Sequence, residues 1–289
     1  MKASSRSTTP VVAVVVTALA VGAMGLFGPT CAQAQSSIPR EETWVTNGPV
    51  RAIVRTADTI YIGGEFNYVA RYTGSGVPIN AATGQPVAAF PKVKGTILAC
   101  VPDGADGWYI GGAFSRVGGV TRNYIAHILS NASVDNAWNP NANGRVCSLA
   151  VSGSTVYAGG DFTSIGGQSR NCIAALNAAT GNATAWNPNA GEYDPYVYAL
   201  AVSGSTVYVG GRFTTIGGQT RNGMAGLDAA TGQVTAWNPN ANSSVFALAV
   251  SSSTVYVGGA FTRIGGQMRR YFAEFDFRRL ATAKHWRLY

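Results

Sequence analysis

The chain has 289 residues, of which 46% are hydrophobic, 12% are charged and 36 are glycine. This composition is too apolar for a disordered protein, and without a G-X-Y period it excludes collagen, so it indicates a globular domain of short strands and turns. The formal net charge is +8, but seven Lys and Arg residues lie after Thr262. The excess belongs to the C-terminal end and does not indicate a nucleic-acid-binding surface.

The first 34 residues have the pattern of a secretory signal peptide. Lys2 and Arg6 precede the apolar stretch 11–28, and Ala32 and Ala34 form an A-x-A cleavage site. The alternative is an uncleaved membrane anchor, because 18 apolar residues lie near the lower limit for a membrane span. We expect cleavage after Ala34, which predicts a protein that is secreted or held at the cell surface, with no membrane span after cleavage.

One glycine-broken strand then occurs five times along the chain. The copies read IYIGGEFNYVAR, WYIGGAFSRVGG, VYAGGDFTSIGG, VYVGGRFTTIGG and VYVGGAFTRIGG. The first glycines of the five pairs are 48, 48, 51 and 48 residues apart. A repeat of this length is typical of propeller blades and solenoids, so we expect repeated structural units.

Each unit is expected to contain four short strands and no helix. In the fourth unit the strands are predicted at 197–202, 205–211, 222–228 and 233–238. Gly217 and Gly218 are expected to take positive φ in the long second turn, and Asp228 and Gly232 to form the third turn. Four antiparallel strands per unit predict a propeller blade.

A blade that is hydrophobic on both faces needs a neighbour on each side. Val207 and Val209 are expected to face one neighbouring blade and Tyr208 the other. The predicted fold is therefore all-β, a five-bladed β-propeller of four-stranded antiparallel blades, closed by pairing of the N- and C-terminal segments.

The domain limits follow from the repeat. We expect a signal peptide at 1–34, the propeller at 35–276 and a basic, divergent tail at 277–289. The strand that completes the last blade is expected around Trp44, which stands where later repeats carry a tryptophan; the alternative is that Trp286 supplies this strand.

The unit Y-x-GG-x-F-T-x-IGG-x-x-RN…A-x-L(D/N)AATG-x-x-TAWNPNAN resembles the delta-60 type repeat, a β-propeller family of unassigned function found in exported bacterial proteins. The resemblance covers residues 41 to about 276. The layout is also similar to kelch repeats, with a weaker similarity to the fungal cortical polarity-marker propellers. The first repeat departs from the pattern, because FNYVARYTGSG replaces the IGG and Arg-Asn parts. The resemblance implies a propeller fold and an exported protein.

Function is expected where the repeats differ, because the fold explains what recurs. The residue between the glycine pair and the phenylalanine is Glu65, Ala113, Asp161, Arg212 or Ala260. The three charged residues of this series are candidate ligand-binding residues. Glu65 and Asp161 could also form an acid/base pair, although charged residues at these positions are equally typical of a solvated rim.

An insertion supplies the other candidate ligand-binding residues. GEYDPY adds three residues to the fourth unit, and this loop brings Glu192, Tyr193 and Asp194 to one rim. Aromatic and acidic side chains on an added loop are suitable for ligand contact, and the alternative is a loop extension without a function.

Two recurring side chains are interpreted as structural. Arg122, Arg170, Arg221 and Arg269 recur in the repeats and are expected to bind turn carbonyls or carboxylates within their own blades; the alternative is a ring for an acidic ligand. Trp138, Trp186 and Trp237 are expected to pack, and the alternative is stacking on sugars.

No catalytic residue, metal site or cofactor is predicted. After cleavage three cysteines and two histidines remain, without a C-x-x-C pair. The sequence predicts a non-catalytic binding or adhesion module, secreted or at the cell surface, for a protein or glycan partner at a propeller rim. The alternatives are a carbohydrate-active enzyme, a hydrolase or lyase that uses the rim carboxylates, and a structural fragment of a larger repeat protein.

Overall fold

The structure, a computed structural model, describes residues 46–55, 59–66, 75–80, 82, 90–191 and 194–276. Every regular element in these residues is a β-strand. The predicted all-β class is therefore confirmed.

Five antiparallel sheets of three principal strands, which we number I to V, follow one another along the chain. Sheet I contains β1 (Val50–Arg55), β2 (Thr59–Gly64) and β3 (Gly76–Asn80). Sheet II contains β4 (Val93–Pro102), β5 (Trp108–Val117), the short β6 (Val120–Thr121) and β7 (Ile125–Ile128). In each sheet the second strand lies in the middle.

Sheets III to V repeat this plan with a small hairpin between their second and third principal strands. Sheet III contains β8 (Val146–Ser152), β9 (Thr155–Gly160), the hairpin β10 (Ser164–Ile165) and β11 (Gln168–Ser169), and β12 (Ile173–Asn177). The insertion then begins with β13 (Ala190–Gly191). Sheet IV contains β14 (Tyr196–Ser203), β15 (Thr206–Arg212), the hairpin β16 (Thr215–Ile216) and β17 (Gln219–Thr220), and β18 (Met224–Asp228). Sheet V contains β19 (Val245–Ser251), β20 (Thr254–Gly259), the hairpin β21 (Arg263–Ile264) and β22 (Gln267–Met268), and β23 (Phe272–Asp276).

The turns have the predicted chemistry. Gly217 and Gly218 have φ of +57° and +72° in the turn of the small hairpin, where side chains are disfavoured. The Asp228 carboxylate accepts hydrogen bonds from the backbone N–H groups of Ala230 and Thr231, and Gly232 has φ of +77°. These short-range interactions fix the hairpins locally.

The predicted fourth strand is a single bridge rather than a ladder. Leu227 pairs with Val234 at the start of the predicted strand 233–238, and sheets II and III have one equivalent bridge each. The chain then turns away at the tryptophan, and the proline two residues later has no N–H to donate to a ladder. In the third repeat the equivalent tryptophan, Trp186, joins two sheets, because its Nε1 donates to the Asp228 carbonyl of sheet IV at 2.9 Å.

Neighbouring sheets pack through a repeated contact between a glycine and a β-branched side chain. A Cβ placed on Gly111, Gly159 or Gly210 would lie 2.5–2.7 Å from Cγ1 of the valine that begins the next sheet. These valines are Val146, Val197 and Val245, and Ile97 occupies the same place against Gly63. We call this contact the glycine socket. It lets the first strands of consecutive sheets come together in the order β1, β4, β8, β14 and β19.

The two faces of a sheet serve different neighbours, as predicted. Val207 and Val209 pack in the apolar cluster between sheets III and IV, and Tyr208 packs in the cluster between sheets IV and V. Each sheet thus buries one face against the preceding sheet and the other against the following one.

Sheets I and V have one such neighbour each among the described residues. The socket of sheet V, at Gly258, has only atoms of its own sheet near it, Ala247 Cβ at 3.7 Å and the Tyr271 carbonyl at 3.9 Å. Trp44 and Trp286, the candidates for closing the ring, lie outside the described residues, as do the signal peptide 1–34 and the tail 277–289. Closure by the terminal segments therefore stays a prediction.

Candidate binding site

The two carboxylates considered as an acid/base pair belong to different sheets. Glu65 follows β2 of sheet I and accepts from Arg51, with Nη2 to Oε1 at 2.9 Å. Asp161 follows β9 of sheet III and accepts from Arg145, with Nη2 to Oδ2 at 2.8 Å. Sheet II packs between sheets I and III. The structure therefore gives each carboxylate its own arginine and does not bring the two together.

Asp161 and Arg212 do come together with the insertion, around the ring of Tyr196. The Tyr196 hydroxyl donates to Asp161 Oδ2 at 2.5 Å. The guanidinium groups of Arg145 and Arg212 lie 5.2 and 5.7 Å from the centre of the tyrosine ring, within the range of cation–π attraction. We call Arg145, Asp161, Asp194, Tyr196 and Arg212 the rim cluster.

Asp194 completes the cluster. Arg212 donates to the Asp194 carboxylate and to its backbone carbonyl, the latter at 2.9 Å from Nη2. The cluster contains two arginine–aspartate pairs beside one tyrosine and so has no formal net charge. Glu192 and Tyr193, the other candidates from the insertion, lie outside the described residues.

The insertion occupies the space between sheets III and IV. Its first strand, β13, extends the small hairpin β16–β17, and the Pro195 carbonyl lies 3.2 Å from Cys172 Sγ on sheet III. Burial raises the pKa of Cys172 to about 12, so this thiol is protonated and serves as a packing group.

Open cavities lie at the equivalent place on either side of the rim cluster. Cavity A, about 640 Å³, lies between sheets II and III and is lined by Phe114, Asn123, Arg145 and Asp161 among others. Cavity B, about 730 Å³, lies between sheets IV and V and is lined by Phe213, Asn222, Arg212 and Asn242 among others. Each therefore combines an aromatic side chain, amide groups and an arginine of the rim cluster.

The sequence singled out Asp161, Asp194 and Arg212 because these residues break the repeat, and the structure brings them together; their role in ligand binding stays a prediction. Arg145 was not singled out. Arg145 also differs from its equivalents, Tyr196 in sheet IV and Ser244 in sheet V. The residue that Arg145 represents, next to the start of the first strand of each sheet, thus varies among the repeats, and this variation could have identified Arg145 from the sequence.

Three of the four recurring arginines have the structural role that was expected. Arg122, Arg170 and Arg221 each donate from Nη1 to the carbonyl of the preceding residue and from Nη2 to a carbonyl just before the tryptophan. Arg122 and Arg170 are buried. Each arginine thus ties the small hairpin to the fourth segment of its own repeat.

A second polar cluster, which sequence reasoning missed, lies on sheet II. His127 is buried, with Nε2 at 3.0 Å from Asp103 Oδ2 and Nδ1 at 2.9 Å from Asp135 Oδ2. Its ring stacks on Tyr109 with 4.3 Å between centres. Both ring nitrogens are engaged by carboxylates, so this histidine is held in place as a structural bridge.

His127 contributes to the lowered pKa of both carboxyl groups. Burial raises the pKa of the Asp103 and Asp135 carboxyl groups, but hydrogen bonds from His127 and from backbone N–H groups outweigh burial, so both pKa values lie below the ordinary value.

Among the described residues no group of three or more metal-ligating side chains occurs. The same part of the chain contains no helix long and apolar enough to cross a membrane.

Comparisons with known proteins agree with this architecture. The model of a domain of unknown function, the DUF5122 β-propeller, matches residues 104–137 and 155–182, which lie in sheets II and III. No curated protein sequence matches the chain.

Two solved structures show the fold. The computationally designed Ika8 protein is 17% identical, with a TM-score of 0.52, over 76% of this chain and 60% of its own. The Pan2 WD40 domain of Neurospora crassa is 13% identical, with a TM-score of 0.53, over 80% of this chain and 64% of its own. The chain thus spans less than two thirds of each of them. WD40 domains are β-propellers, and the chain accordingly has the fold of a β-propeller repeat protein.

Proposed function

We propose that the protein is a non-catalytic binding module whose rim, formed by the rim cluster and cavities A and B, holds a protein partner. The observation that carries this proposal is the position of two open cavities at matched places on either side of one arginine–tyrosine cluster. Arginine and tyrosine are enriched among the residues that dominate protein interfaces. Propeller folds also commonly mediate protein binding.

The chemistry of the rim suits a partner with both donors and acceptors. Arg145 and Arg212 are about half exposed, so their remaining N–H groups can donate to carbonyls or carboxylates of a partner. Asp161 Oδ1 is buried at cavity A without a hydrogen-bond partner among the described residues.

Binding is tested with a displayed library of random peptides and, in parallel, a glycan array. We expect selected peptides whose affinity for the protein falls at least about tenfold in the double variant R145A/R212A. The control is Arg270→Ala, because Arg270 is exposed on sheet V outside both cavities. If the double variant binds the selected peptides as tightly as the wild-type protein does, the rim is not the binding site. If the protein binds glycans and no peptide, the partner is a carbohydrate and not a protein.

The second candidate function, a carbohydrate-active enzyme, rests on the rim carboxylates Glu65 and Asp161. Each is paired with its own arginine, Glu65 with Arg51 and Asp161 with Arg145, and the two carboxylates belong to different sheets, an arrangement that does not favour an acid/base pair. A polysaccharide-hydrolysis screen decides between the functions. Turnover by the purified protein that Glu65→Gln abolishes would establish the enzyme and overturn the binding module.

We further propose that the five sheets are the blades of the propeller and that the protein is exported through its N-terminal 34 residues. The signal-peptide pattern of the sequence supports export. The mass of the protein recovered from the extracytoplasmic fraction tests it, and a chain beginning at Gln35 is expected. A protein that keeps all 289 residues and stays in the cytoplasm would contradict export.

A further inference from the structure

Exposed apolar side chains are concentrated on the two end sheets. Of the seven large exposed hydrophobic residues in the described structure, six lie on sheets I and V. Ile53 of sheet I is 53% exposed and Phe272 of sheet V is 58% exposed. Their equivalents in inner sheets, such as Leu149 for Ile53 and Ile173 for Phe272, are buried against the neighbouring sheet. The end sheets therefore expose the faces that inner sheets cover.

The two faces are complementary in shape. Sheet I presents Val50, which has the same register as Val146, Val197 and Val245, the side chains that fill glycine sockets. Sheet V presents the socket at Gly258, which no side chain of another sheet enters in the part of the chain that the structure describes. The same contact that joins consecutive sheets within the chain is thus available between sheet V and sheet I.

The faces are also complementary in charge. Arg55 of sheet I is exposed and takes the position of Val151 and Val250 in later sheets. Glu274 of sheet V is exposed and takes the position of Ala175 and Gly226. An arginine and a glutamate thus replace uncharged residues on the two end faces, one of each sign. Close pairs of opposite charge at an interface favour one partner and one register.

We propose that these faces join two copies of this chain head to tail. The leading face is formed by Val50, Ile53 and Arg55. It packs on the trailing face of the preceding copy, which is formed by Tyr256, Gly258, Phe272 and Glu274. Among the described residues, the atoms near a Cβ on Gly258 belong to sheet V itself, and side chains of both faces are exposed, so in this part of the chain the socket is open to a second copy.

The interface would reproduce the packing already present between sheets. Its apolar centre would cover Ile53, Tyr256 and Phe272, and the pair of Arg55 with Glu274 would lie beside it. Because each copy offers both faces, association continues until a ring of copies closes or a filament forms.

Blocked variants test the proposal. The variant Ile53→Arg loses the leading face and Phe272→Arg loses the trailing face, and both side chains are exposed, so the fold should persist. We expect wild-type protein to associate in sedimentation experiments and each variant alone to be monomeric. An equimolar mixture of the two should form a 1:1 pair and no larger species, because only one intact leading face meets one intact trailing face. A mixture that stays monomeric overturns the proposal.

Charge reversal gives an independent test that leaves the apolar contacts unchanged. Glu274→Arg should weaken association at least about tenfold, and the double variant R55E/E274R should restore it, because the pair is re-formed with opposite sense. A weakening that the double variant does not reverse would overturn the proposed register. Wild-type protein that stays monomeric at every concentration would overturn the proposal as a whole and would instead favour closure of the ring by the chain's own terminal segments.

Discussion

Tyr196 is contacted at its ring by two guanidinium groups and at its hydroxyl by Asp161, so its substitution separates polar from apolar contributions. Tyr196→Phe keeps the ring near Arg145 and Arg212 but removes the 2.5 Å hydrogen bond to Asp161. Because the acceptor is charged and partly buried, we expect a loss of about 1–2 kcal/mol in the free energy of unfolding, measured by urea denaturation. The matched control is Tyr157→Phe, whose hydroxyl donates to a neutral carbonyl at 2.9 Å. A larger loss in the control would contradict a charge-assisted bond at Tyr196.

The second prediction at the residue scale concerns pH. Asp103 and Asp135 have pKa values below 3.8 in the folded protein because their bonds to His127 and to backbone N–H groups outweigh burial. The unfolded chain binds more protons as the pH falls, so this stabilisation is complete above about pH 5 and is lost towards pH 3. We expect His127→Gln to lose less stability than wild type between pH 5 and pH 3 in urea titrations. Parallel curves would show that the histidine is not the cause.

These residues also show what the sequence can predict at this scale. Asp161 and Arg212 stood out because they occupy one position that varies among otherwise similar repeats. Their partners could not be inferred, because the contact of Asp161 with Tyr196 joins positions 35 residues apart in different sheets. Glu65 shares the varying position but not the neighbourhood, since the insertion reaches only sheets III and IV. A repeat comparison finds unusual residues, and the fold decides which of them meet.

At the scale of the element, the glycine socket is the contact that sets sheet spacing. A Cβ on Gly210 would lie 2.7 Å from Val245 Cγ1, so Gly210→Ala is expected to lower the free energy of unfolding by about 1–3 kcal/mol. Gly258→Ala is the matched control, because the nearest described atom to its Cβ would be 3.7 Å away, and we expect less than about 0.5 kcal/mol. Both are measured in the Ile53→Arg background, where the leading face is blocked. Equal losses would mean that the socket of sheet V is filled within the chain.

The elements themselves were largely predictable. Strands two residues apart, such as β14 and β15, and turns with Asp228 or Gly232 depend on neighbours in sequence, and these were placed correctly. The fourth strand was not, because 233–238 forms a single bridge, between Val234 and Leu227. In the equivalent segment of the third repeat, Trp186 donates to the carbonyl of Asp228, 42 residues away, so a contact with the next sheet competes there with the strand pattern.

At the scale of the molecule, stability should depend on how many neighbours a sheet has. In a linear array a central sheet is supported on both sides and an end sheet on one, so end sheets open first. Phe162 of sheet III and Phe66 of sheet I are both buried, and replacing either with alanine removes about 3–5 kcal/mol. In the Ile53→Arg background we expect F162A to destabilise the whole chain. We expect F66A to open sheet I alone, and this opening would be seen as rapid amide exchange confined to residues 50–64.

Association should then reverse the effect on sheet I. In wild-type protein at concentrations where copies join, the trailing face of one copy supports sheet I of the next, so amide exchange in 50–64 should slow relative to the Ile53→Arg variant at equal concentration. A ring closed within one chain predicts something different: sheet I would have two neighbours at every dilution, and its exchange would not depend on concentration. Protection that does not change on dilution would therefore place the missing neighbour of sheet I in its own chain.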